Sequence, residues 1–207
     1  MNSGSGPDAG TRRWWAAALS LLLAATAAGC LGGEKDSGKA SASPSSKAQA
    51  RIPPGFAQAS SDAVSLAYPP GWKPATPPKG WTFLAELAAG GDIEARVGVI
   101  TSVPQIPNAK LVAESLDILI QTQLSGVRRG PNQKVDIPGA DEAVRIDYSY
   151  PNPQAVAGAA AGAPVTNVDI ALVIHQRKAA VVRLTGLQSR LTPALVDQIL
   201  HSIAVKA

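Results

Sequence analysis

Cysteine is almost absent from this 207-residue chain: Cys30 stands alone. No disulfide can close within one molecule, so the fold must rely on burial rather than on covalent staples. Histidine is equally scarce, and neither His175 nor His201 has a histidine, cysteine or carboxylate at ligand spacing. There is no H-E-x-x-H, no EF-hand loop and no paired-cysteine motif, which argues against a metal site. No Gly-Lys-Ser/Thr follows Gly158 and Gly162, so nothing resembles a phosphate-cradling loop. Ser189 lacks the Gly-x-Ser-x-Gly elbow of a hydrolase. Asp141 and Glu142 are adjacent, and strand neighbours point to opposite faces, so they do not pair as acid and base. No catalytic set is legible. The expectation is a protein that is not an enzyme and carries no cofactor.

Two further absences bear on partners. The 19 basic and 15 acidic residues form no stripe of one sign, which excludes a nucleic-acid interface. Long apolar runs are also missing. Trp14 to Ala28 is 15 residues without a charge, too short to cross a bilayer comfortably but sufficient for a signal-peptide core behind Arg12-Arg13. Small residues, Ala27-Ala28-Gly29, then lead to Cys30. The stretch resembles the lipobox of bacterial lipoproteins, whose cysteine receives a diacylglycerol and becomes the first mature residue. Ala27 stands where many lipoboxes carry leucine. The resemblance implies a signal peptide over 1–29, lipid attachment at Cys30, and a chain anchored on the extracytoplasmic face of the cell membrane. Thr11-Arg12-Arg13-Trp14-Trp15 is similar in part to a twin-arginine signal, but Ala16-Ala17 replaces the usual Leu and Lys. Both export routes stay open.

Residues 30–52 are Gly, Ser, Ala and Lys with little apolar bulk, a composition that cannot offset ordering entropy. They read as a flexible tether with an r.m.s. reach of about 25–30 Å. The remainder, 53–207, has the length of one domain with one core.

Within it, Val64, Leu66 and Tyr68 alternate with small residues as a strand does, and the strand stops at Pro69-Pro70-Gly71-Trp72. Trp81 to Leu87 and Ile93 to Thr101 flank Gly90-Gly91 and predict a hairpin, with Glu94 and Arg96 sharing a solvated face. The period then changes. Asn108 is a candidate N-cap for a helix over Ala109–Leu124, whose apolar side is Val112, Leu116, Leu119, Ile120 and Leu124. A short strand at Lys134–Ile137, a longer one at Glu142–Tyr150 and an Ala/Gly loop over Ala155–Pro164 follow. Val168–Ile174, with His175 on the same strand, and Ala179–Leu184 are apolar at nearly every position, which predicts a sheet covered on both faces. Thr192 and Pro193 open a final helix with Leu195, Val196, Ile199, Leu200 and Ile203 on its apolar side and His201 near its end. The fold class is α+β with a largely antiparallel sheet and two main helices.

Tyr68-Pro69-Pro70-Gly71-Trp72 resembles the Y-P-x-G-W entry motif of PsbP-like and Mog-like domains. With the lipobox, the tether and the order of elements, the chain resembles actinobacterial lipoproteins of the LpqN type over about 56–205. That resemblance implies an α/β/α sandwich and a non-enzymatic accessory or adaptor role, binding cell-envelope proteins. It brings no catalytic residues. A carrier or sensor for an apolar ligand, a lipid or cell-wall precursor, is the alternative, and it needs a cavity between helix and sheet. Trp72 and Trp81 are either core aromatics or a stacking surface for a sugar or lipid, with the core reading preferred. Tyr148 and Tyr150 lie on the apolar side of their strand, and structural roles are preferred for them and for both histidines.

Overall fold

The computed structural model describes residues 49–103, 106, 108–152, 162–175 and 178–206. The signal peptide, Cys30, most of the tether and the Ala/Gly loop up to 161 lie outside the described residues. In chain order the elements are β1 (Ala57–Ser60), β2 (Val64–Tyr68), β3 (Lys73–Pro74), β4 (Trp81–Ala89), β5 (Asp92–Ile100), α1 (Ala109–Gln123), β6 (Arg128–Arg129), β7 (Gln133–Lys134), β8 (Glu142–Pro151), β9 (Pro164–Ile174), β10 (Lys178–Leu187), α2 (Pro193–Ser202) and β11 (Ala204–Val205). The large sheet runs β3-β4-β5-β10-β9-β8-β6, with β7 also on β8, and a small sheet runs β1-β2-β11. Every pairing is antiparallel.

Three layers result. Val112, Ala113, Leu116 and Ile120 of α1 pack on Ile146, Tyr148 and Tyr150 of β8 and on Ala171 of β9. On the opposite face, Ile170 and Leu172 of β9 and Val182 and Leu184 of β10 meet Val196, Ile199 and Leu200 of α2 and Val64 and Leu66 of β2. Strands β9 and β10 are therefore covered twice, which is why they are apolar at nearly every position. The architecture is an α+β sandwich with two helices on an antiparallel sheet.

Both helices start where the capping residues place them. The Asn108 side chain accepts from the Leu111 N–H at 2.9 Å, and Glu142 Oε2 accepts from the Ala109 N–H at 3.0 Å. Two of the four donors that a helix N-terminus leaves unpaired are thereby satisfied, one of them from a strand 33 residues away. Thr192 accepts from the Leu195 N–H at 3.3 Å, with Pro193 in the first turn. The buried Ser202 hydroxyl accepts from the Ala67 N–H at 2.8 Å and so ties the end of α2 to β2.

Several expectations shift. Strands β1 and β11 and their separate small sheet are not visible in the sequence, because runs of four and two residues have no periodicity to read. The short strand expected at Lys134–Ile137 starts one residue earlier and spans only Gln133–Lys134. His175 is exposed and lies just beyond β9 rather than in it. The Glu94–Arg96 face is not solvated: Glu94 is buried and ion-paired with Arg190 at 2.9 Å, and Arg96 is half-buried. That side of the sheet is the one on which α1 packs, and its charges are met by partners instead of by water.

Candidate functional site

Two rows of side chains cross the α1 face of the large sheet. Register aligns Tyr148, Asn167, Thr185, Arg96 and Glu86 on β8, β9, β10, β5 and β4. The adjacent row is Ile146, Asp169, Arg183, Gly98 and Leu84. Positions two apart share a face, so both rows look the same way.

Asp169 is the centre of this cluster and is wholly buried. Arg183 donates to it twice, from Nε to Oδ1 and from Nη2 to Oδ2, each at 2.7 Å. Asn167 Nδ2 donates to Oδ1 at 3.1 Å, and the Tyr148 hydroxyl lies 3.4 Å from Oδ2 as a further donor. Thr185 Oγ1 donates to Asn167 Oδ1, which completes the chain of contacts. Such a bidentate, charge-assisted pair is the strong form of a buried ion pair, and here every carboxylate oxygen is used.

The same neighbours set the protonation energetics. Burial alone pushes the Arg183 guanidinium down, but the charge and hydrogen bonds of Asp169 outweigh it and hold it above the ordinary arginine value. Burial pushes the Tyr148 hydroxyl up, and the Asp169 charge pushes it further against the opposing effect of Arg183. Tyr150 is also raised, first by burial, with Arg96 and Arg183 opposing. Arg96 is lowered by burial, partly offset by Glu86 and reinforced by Arg183. The two tyrosines give a pH prediction. Their folded pKa values lie above the unfolded value of about 10, so their contribution is complete below that pH and is lost as pH rises beyond it. Melting temperatures between pH 8 and 11.5 are expected to fall more steeply above about pH 10 in the wild type than in Tyr148→Phe.

Of the residues weighed from sequence, Tyr148 joins this cluster, while Tyr150 stacks on it with ring centroids 6.3 Å apart. Trp72 is buried in the opposite core. Trp81 is half-buried on the α1 face, and the Arg96 guanidinium lies 5.9 Å from its ring centroid. His175 and His201 are exposed and separate from the cluster. Asp169, Arg183, Asn167 and Thr185 were not anticipated. The available signal was their recurrence at odd positions within two otherwise apolar strands.

Among the described residues, hollows open to solvent at two places beside these strands. One of about 350 Å³ lies between β8 and the first turn of α2, walled by Arg128, Arg145 and Asp147 over buried Val168, Leu191 and Val196. The other, about 690 Å³, lies beside the Glu94–Arg190 pair at the ends of β9 and β10. No residue of α1 lines either one; the smaller lies between the sheet and the first turn of α2, with Arg128, Arg145 and Asp147 in its wall. Among the described residues no cluster of three His, Cys, Asp or Glu is arranged to hold a metal ion. Nor is any helix there long and apolar enough to cross a membrane.

Among solved structures the chain is similar to LpqN of Mycobacterium tuberculosis, a protein involved in cell envelope biogenesis. The match has 14% identity and a TM-score of 0.50, over 73% of this chain and 91% of that one. The fold is LpqN-like. A protein of unknown function from Pseudomonas aeruginosa, PA94, also matches, at 17% identity and a TM-score of 0.35 over 69% of this chain and 86% of that one, too distant to carry an argument. No family model matches the sequence, and no curated protein matches it. At 14% identity the LpqN likeness concerns the path of the backbone.

Proposed function

We propose that this chain is a lipid-anchored accessory protein on the extracytoplasmic face of the membrane, held there through Cys30, that binds envelope proteins and catalyses no reaction. One surface feature carries the reading. Leu111 and Ile118 lie seven residues apart on the outer face of α1 and are 40% and 67% exposed. Ser115 and Thr122 continue the same stripe at helical spacing. Their hydroxyls already donate to the Leu111 and Leu119 carbonyls, each at 2.9 Å, so drying this stripe costs little. Lys110 and Glu114, an exposed pair at 3.7 Å, stand at its margin. An uncharged centre with a charged rim is the anatomy of a protein-binding helix face. The involvement of LpqN in cell envelope biogenesis and the lipobox-like stretch support the location.

The partner surface is therefore a helix face rather than a sheet edge or loop. A photo-crosslinker placed at Ile118 of the full chain, in intact envelopes, is expected to capture a discrete set of envelope proteins. The same group at exposed Lys134 should not capture them. In parallel, Cys30→Ala should leave the membrane fraction. Identical captures from both positions would reject the helix face, and a tightly membrane-held Cys30→Ala chain would reject the anchor.

A further inference from the structure

The hollow of about 350 Å³ on the α2 side of the large sheet is bordered by side chains that the fold leaves unused. Register places Arg128 of β6 opposite Ser149 of β8, and Ser149 opposite Thr166 of β9. Adjacent strands lie about 4.8 Å apart, so the three form one continuous row. Gln188, two residues past the β10 position opposite Thr166, borders the same hollow. Among the described residues, none of these four side chains has a hydrogen-bond or ion partner. Arg145, in the same wall, is by contrast engaged: its Nε donates to Asp147 at 2.9 Å and its Nη1 to Asp197 at 3.0 Å. Beneath the row the floor is apolar and buried, formed by Val168, Leu191 and Val196.

We propose that this hollow binds the C-terminal carboxylate of a peptide that ends in an aliphatic residue. Arg128 presents a fork of N–H donors that matches a carboxylate, and the Ser149 hydroxyl opposite it adds a further donor. Thr166 and Gln188 each both donate and accept, as the peptide group preceding the carboxylate requires. The apolar floor takes the terminal side chain, whose burial adds affinity that a bare anion cannot gain. Charge separates this ligand from other anions. Arg145 stands between two carboxylates, Asp147 and Asp197, so the neighbour of Arg128 carries a net negative charge. A singly charged carboxylate leaves these surroundings close to neutral, whereas a doubly charged phosphate is repelled. The hollow lies on the opposite side of the sheet from α1 and stands whether or not the outer stripe of α1 binds a protein.

The test is an NMR titration of the isotope-labelled full chain with acetyl-Ala-Ala-Leu. Its C-terminal amide, 4-methylpentanoate and inorganic phosphate are the comparisons. Saturable shifts of the Ser149, Thr166 and Gln188 amide signals are expected with the tripeptide acid, and weaker binding with each of the other three. Arg128→Gln removes the charge from a side chain that holds nothing in the fold, and should weaken binding at least about tenfold, the loss of a charge-assisted hydrogen bond. Arg129→Gln, one residue away on the opposite face and paired with Asp117 of α1, should not weaken it. The proposal is overturned by the absence of saturable shifts, by equal binding of the amide, or by equal losses in Arg128→Gln and Arg129→Gln. Equal or tighter binding of 4-methylpentanoate would make the ligand a free acid instead of a peptide, and tighter binding of phosphate would make it an inorganic anion; either overturns it too.

Discussion

Asp169→Ala is expected to destabilise the domain by about 3 kcal/mol, the lower end of the range for breaking a buried ion pair. The melting temperature should fall by roughly 6–12 °C for a domain of this length. Asp169 itself has no exposure, but the Arg183 side chain is 20% exposed and can recover some hydration, which places the loss at the lower end. The substitution strands more than one group. Arg183 loses two hydrogen bonds, and Asn167 and Tyr148 lose their contacts to the same carboxylate. Arg183→Leu leaves a buried carboxylate with only neutral donors and should cost at least as much. The double variant Asp169→Leu/Arg183→Leu is expected to recover most of either loss, since an apolar pair of similar volume is often neutral where a half-pair is not. A double-mutant cycle by urea denaturation checks this. Additive single effects would show that the two side chains are independently hydrated and that the network is not closed.

This network explains where the sequence was least informative. The strand over Val168–Ile174 reads as apolar at nearly every position, and the face of Val168, Ile170, Leu172 and Ile174 packs against α2 and the small sheet. Asn167 and Asp169 alternate with those residues on the other face. A single sequence cannot decide whether an aspartate in such a strand faces water, marks an edge or meets an arginine from the next strand. Register decides it. Arg183 stands opposite Asp169 only because β9 and β10 pair over ten residues from Lys178 opposite Ile174. The helices were legible for the opposite reason. Asn108, Thr192 and Pro193 act on donors within three residues of themselves, so local chemistry fixes both starts. Even there one contribution was hidden: Glu142, adjacent to Asp141 and assigned no partner by sequence, reaches across to the first turn of α1.

Trp72→Ala is expected to cost about 3–5 kcal/mol, whereas Trp81→Ala should cost clearly less. The contrast arises from two turns of the same construction. In Pro69-Pro70-Gly71-Trp72 and in Pro78-Lys79-Gly80-Trp81 the third residue is a glycine at φ 88°. In each the tryptophan N–H donates to the carbonyl of the first proline, at 3.3 and 3.0 Å. A positive φ at the third position is the signature of a type II turn and favours glycine in both. Identical turns nevertheless deliver the two indoles to opposite faces of the sheet. Trp72 enters the core beneath α2 with Tyr68 and is 7% exposed, so truncation empties a space that packed neighbours only partly refill. Trp81 covers Gly98 and keeps part of its ring in solvent, so truncation mainly uncovers a glycine. Chemical denaturation of both variants checks the order. A near-neutral Trp72→Ala would place that ring at the surface and remove the physical distinction between a tryptophan that fills the core and one that covers a glycine at its edge.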